Sequence, residues 1–138
     1  MYKRILVTLD STPTDKTIIG HIKQLAKIVG GRVVLLHVAD GWAARTYGSD
    51  AVSPEITEDT GYLESVRQEF EKEGIAAEAQ LAYGDPATEI VKWVETQGCD
   101  LVAMSTHGHR FLGDIVFGAT ADRVRHSISV PVLLLRAK

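Results

Sequence analysis

Five short apolar runs interleaved with four segments of helical period restrict this 138-residue chain more than any other feature. The runs are RILVTL (4–9), RVVLLHV (32–38), AAEAQLAY (76–83), LVAMS (101–105) and VPVLLL (130–135). Most are continuously apolar and rich in Val, Ile and Leu, as parallel strands covered on both faces must be. The third alternates, as a strand at a sheet edge does.

Between the runs the period changes to that of a helix. The first helix is expected to open at Thr12, with Pro13 at its first position and Asp15 where a capping-box acid sits. Ile18, Ile22, Leu25, Ala26 and Val29 form its apolar stripe, and Gly30–Gly31 ends it. A second, weaker stripe (Leu63, Val66, Phe70) ends at Gly74. A third opens at Asp85–Pro86, turns Ile90, Val91 and Val94 inward and stops at Gly98. The fourth follows Gly118, with Ala121, Val124 and Ile128 facing in.

Strands alternating with helices make right-handed parallel crossovers. The expected fold is therefore α/β, an open five-stranded parallel sheet with helices on both faces, and its strand order is taken as 3-2-1-4-5. Residues 1–138 form a single domain, with no repeat, low-complexity tract or linker. In such a sheet, ligands sit beyond the carboxyl ends of the strands, where the strand order reverses. Here that is between the first and fourth strands, which are followed by Asp10 and by STHGHR (105–110). The long irregular stretch 39–55 carries Trp42, Arg45 and Tyr47, which could cover a ligand or a partner; an ordinary surface loop is the alternative.

Composition narrows the function. A net charge of -3 argues against a dedicated nucleic-acid or membrane-surface binder. The single cysteine, Cys99, excludes an internal disulfide, reads as a half-buried structural thiol and fits a reducing compartment. With no signal-peptide or membrane-spanning run, the expected location is the cytoplasm.

The stretch STHGHRFLGDIVFGATADR (105–123) has the makings of a phosphate cradle. Phosphate needs converging backbone N–H groups, room for close approach and a helix N-terminus. Gly108, Gly113 and Gly118, the hydroxyls of Ser105, Thr106 and Thr120, and a helix expected to start near Ala119 meet that description. Small residues are also common in plain strand-to-helix connections. Three enzyme signatures fail: Asp114 replaces the Walker lysine, LDSTPTD lacks the dinucleotide fingerprint, and Ser105 lacks the glycines of a nucleophile elbow. His107 and His109 could share a metal ion with Asp114, but the sequence places no third ligand securely, and no metal site is assigned. His37 reads as a hydrogen-bonded core residue, His21 and His126 as helix-surface residues.

Taken together, YKRILVTLDST, VVLLHV, MSTHGHRFLGDIVFGATADRV and SVPVLLLR resemble the universal stress protein family over nearly the whole chain. The resemblance implies a Rossmann-like adenine-nucleotide-binding fold and a homodimer formed through the last strand. Many members hold ATP with a G-x-x-G-x(9)-G-[ST] loop; others lack the loop and do not. On that pattern Gly108 and Gly118 match the second and third glycines. Ser105 departs from the first glycine and Ala119 from the hydroxyl residue, with Thr120 one position along. The lost hydroxyl contact to a charged group is worth ~1.5–3 kcal/mol, so weakened binding is expected. By the same resemblance Asp10 would accept ribose hydroxyls, and Val38 and Met104 would meet the adenine. His109 and Arg110 would face the outer phosphates.

The expected function is a stress-response or regulatory protein that binds ATP or AMP, with or without Mg, and acts through a ligand-dependent conformational state ordering 39–55 and 105–118. No catalytic residue is assigned; no lysine clamp is present, and slow ATP hydrolysis is the most that is expected. Two alternatives stay open: a homodimeric interaction module with an emptied pocket, and an enzyme using His107, His109 or Asp10 on a nucleotide-like substrate.

Overall fold

Successive side chains of a strand point to opposite faces, so a continuously apolar strand must be covered twice. The computed structural model, which describes residues 1–39, 54–106 and 114–137, resolves this into two cores. Ile5, Val7 and Leu9 of the first strand and its exit face one side with Val33, Leu35 and Ala103; Leu6 faces the other with Val34, Leu36 and Val102. The strands are β1 (Arg4–Thr8), β2 (Arg32–Ala39), β3 (Ala77–Tyr83), β4 (Leu101–Thr106) and β5 (Val132–Arg136). The helices are α1 (Asp15–Val29), α2 (Pro54–Lys72), α3 (Pro86–Gln97) and α4 (Asp114–Ser127).

The sheet order is β3-β2-β1-β4-β5, all parallel, as expected. Ile5 sits between Val33 and Leu101 in register, which places β1 at the centre of the sheet. α1 and α2 cover one face through Ile18, Ile22, Leu63, Val66 and Phe70. α3 and α4 cover the other through Ile90, Val94, Ala121 and Val124. The alternating third run is an edge strand, and β5 is the opposite edge.

Helix ends follow local chemistry. Asp85 caps α3 by accepting the Thr88 N–H at 3.0 Å, with Pro86 beginning the helix. Gly30 and Gly98 end α1 and α3 in the left-handed conformation, φ 70° and 65°. At the amino ends of the strands, Asp100 accepts the N–H groups of Lys3 and Arg4. Gly31 packs there under the Tyr2 carbonyl, with no room for a Cβ.

Two helix starts differ from the sequence reading. α1 begins at Asp15, two residues past Pro13, because a turn closed by Asp15 N–H to the Thr12 carbonyl comes first. α4 begins at Asp114 rather than near Ala119. One glycine inside a helix costs only about 1 kcal/mol, so Gly118 does not hold the helix back. Residues 40–53 and 107–113 lie outside the described residues, and with them Trp42, Arg45, Tyr47, His107, Gly108, His109 and Arg110.

Candidate functional site

The chain leaves β1 toward the face of α1 and leaves β4 toward the face of α4. A crevice therefore opens between their carboxyl ends. It holds a pocket of about 380 Å3, within the range of small-molecule sites. Asp10 borders it from the end of β1, Val38 from β2, Met104 and Ser105 from β4, and Thr120 from α4. Five of the ten residues singled out from the sequence thus line one cavity. Asp15, His37, Asp85, Pro86 and Ile90 complete much of the wall. A second cavity, about 510 Å3, lies away from this crevice in the groove between α1 and α2.

Asp10 is held in place by hydroxyls. Thr12 Oγ1 donates to its Oδ1 at 2.6 Å, and Thr14 Oγ1 approaches both oxygens at 3.3 and 3.4 Å. These hydroxyls fix the carboxylate at the rim of the pocket. Met104 is buried and contributes an apolar surface, whereas Val38 is half-buried. The Ser105 hydroxyl oxygen is buried without a hydrogen-bond partner. A buried hydroxyl left unsatisfied costs about 1–3 kcal/mol, which a ligand polar atom in the pocket would recover.

The phosphate side departs from the sequence reading. Gly118 and Ala119 fall in the second turn of α4, where N–H groups belong to carbonyls four residues back. The open amides of that helix lie ahead of them, through residue 116.

Sequence reasoning gave Asp15 only a capping position. It is 1% exposed, and its carboxylate accepts the N–H groups of Asp10 at 3.1 Å and Ser11 at 3.0 Å. Tyr62 of α2 donates its hydroxyl to the same carboxylate at 2.8 Å. Burial first, and the adjacent Asp10 charge second, raise Asp15 from the usual 3.8 to about 6. Burial and the bond to Asp15 raise the Tyr62 hydroxyl far above its usual range. Ser11 takes a left-handed φ of 62° where the loop folds around this carboxylate.

His37 is bonded within the fold, as expected. Its Nδ1 lies 2.7 Å from the Leu9 carbonyl oxygen and must donate to it, while Nε2 lies 3.2 Å from the buried Asp59 of α2. The signal for Asp15 and Asp59 was present: each is an acid on an apolar helical stripe, ahead of Ile18 and Ile22, and of Leu63 and Val66. Cys99 is buried more fully than expected, and that burial raises its thiol, which suits an inert role. His21 and His126 are exposed. Among the described residues no helix is long and apolar enough to cross a membrane.

A doubly wound parallel sheet with its pocket at the reversal of strand order defines a Rossmann-like α/β protein. The chain belongs to the universal stress protein family, whose model matches residues 1–136. It is 28% identical over 157 aligned positions to universal stress protein MJ0577 of Methanocaldococcus jannaschii, covering 100% of this chain and 97% of the relative. The solved structure of MJ0577 superposes with a TM-score of 0.81 at 29% identity, covering 100% of this chain and 98% of that one. A universal stress protein crystallised with cAMP (TM-score 0.76, 14% identity, 99% and 98% coverage) shares the fold. So does the Archaeoglobus fulgidus protein in complex with dAMP (0.71, 20%, 96% and 97%).

Proposed function

We propose that the protein binds an adenine nucleotide, AMP or ATP, in the crevice between β1 and β4, and serves a stress-response or regulatory role through its occupancy. The observation that carries this reading is the pocket wall itself: a carboxylate, an apolar floor and an unsatisfied buried hydroxyl at the position where the fold takes ligands. The cAMP and dAMP complexes of proteins with this fold support it. Asp10 takes the ribose hydroxyls, and Val38 and Met104 flank the base. Ser105 and Thr120 face the phosphate end, which Gly108, His109, Arg110, Gly118 and Ala119 complete. With Gly118 and Ala119 inside α4, the phosphate grip is weaker than the full loop provides, so a monophosphate gains nearly as much as ATP. No group is assigned to hydrolysis.

Thermal shift and calorimetry with AMP, ATP and cyclic nucleotides test the reading. Stabilisation is expected, and Ser105→Ala should weaken AMP by about three- to ten-fold through one lost hydrogen bond. No response to any of these ligands would refute it.

The free edge of the sheet favours a homodimeric interaction role beside nucleotide binding. Among the described residues β5 pairs only with β4, and Leu134 on it is 43% exposed. Light scattering on Leu134→Glu should show a monomer where the unaltered chain is a dimer.

A further inference from the structure

We infer that Asp15 is the positioning residue of the pocket: clamped between Tyr62 and the amides of Asp10 and Ser11, it sets how Asp10 presents its carboxylate to a ligand hydroxyl. This rests on the nucleotide reading above and names a control on the same site.

The geometry isolates Asp15 from solvent and joins three elements on one carboxyl. The Asp10 and Ser11 amides come from the β1–α1 connection, the hydroxyl from α2, and the carboxyl from the first turn of α1. The Asp10 carboxylate stands close enough to Asp15 for its charge to raise the Asp15 carboxyl, after burial the largest influence on it. Protonated, Asp15 leaves the Asp10 carboxylate unopposed while the two amides and Tyr62 hold the connection in place. Ionised, it repels Asp10, and a ligand that seals both from water makes that repulsion costlier. Ligand binding therefore favours the protonated Asp15.

The charged and titratable groups around Asp15 are Asp10 of the connection and Tyr62 of α2, with Glu69 of α2 beyond. Across the pocket stand His37 of β2, paired with Asp59, and Asp85 at the start of α3, paired with Arg123 of α4. His37, Asp85 and their partners are unchanged in the variants below, so their contribution is common to all three proteins.

The test is calorimetric affinity for adenosine and cAMP between about pH 5 and pH 8, a range in which neither probe changes charge. The unaltered chain should bind roughly ten-fold more tightly at the acid end, the effect of one further unit of proton affinity on binding. Asp15→Asn, which carries no charge at any pH, should keep the tighter affinity throughout and lose the dependence. Tyr62→Phe removes the hydroxyl that favours the ionised carboxyl, so its profile should shift to higher pH. Profiles unchanged in both variants would overturn the inference and leave the nucleotide reading standing. So would binding of AMP with no binding of either probe. Failure of the unaltered chain to bind any of the three ligands would overturn both.

Discussion

Replacing Asp15 by asparagine should change how the stability of the empty protein depends on pH. The folded carboxyl titrates at about 6 against a usual 3.8. At 1.36 kcal/mol per pH unit, ionising it costs the native state ~3 kcal/mol more than the unfolded chain. Exposure of only 1% leaves solvent little scope to screen that cost. The sign is set by the native state holding the proton more tightly. Stability from this group is complete below about pH 4 and is lost as pH rises through about 6. The amide of the variant cannot ionise. Urea unfolding across about pH 4 to 8 should therefore show the gap between variant and unaltered protein moving by ~3 kcal/mol in favour of the variant. For a chain of this size that is a relative change in Tm of ~10 °C. Asp85 and Asp100, both held below the usual carboxylate range by their hydrogen bonds, lose stability in the opposite direction as pH falls, but equally in both proteins. A gap that stays constant across the range would refute the reasoning, because it would mean that Asp15 titrates alike in the folded and unfolded states.

Two further substitutions probe other parts of the argument. Gly31→Ala drives a Cβ into the Tyr2 carbonyl and against Ile5, so urea unfolding should show a loss of about 1–3 kcal/mol, in the range of overpacked cores. Asp85→Ala removes the α3 cap and should cost about 1 kcal/mol at neutral pH; the exposed Arg123 pair adds little. Because Asp85 is held down to about 2, that difference should persist well into acid before vanishing, which unfolding at low pH would reveal.

The parallel sheet was legible because its strands are apolar on both faces, and the two cores divide Leu6 from Ile5 and Val7 by alternation alone. Crossover handedness fixes the hand of each connection but not the strand order; given the order 3-2-1-4-5, the position of Asp10 and Ser105 follows from it. Helix starts were less legible. The Thr12 turn displaced α1, and the α4 start turned on whether Gly118 would break a helix that the preceding Ile115, Val116 and Phe117 could extend. The Asp15–Tyr62 contact spans 47 positions and depends on how α2 lies against α1, which no local pattern encodes. What the pattern did hold was the anomaly of a charge on a buried stripe. Read as a helix cap, Asp15 was given the smaller of its two tasks.

Since all five strands run the same way, Lys3 and Arg136 stand at opposite poles of the sheet. A fluorophore attached near the first would report unfolding while remaining remote from the crevice. One attached near the second shares a rim with Asp10 and Ser105, and its emission should follow occupancy.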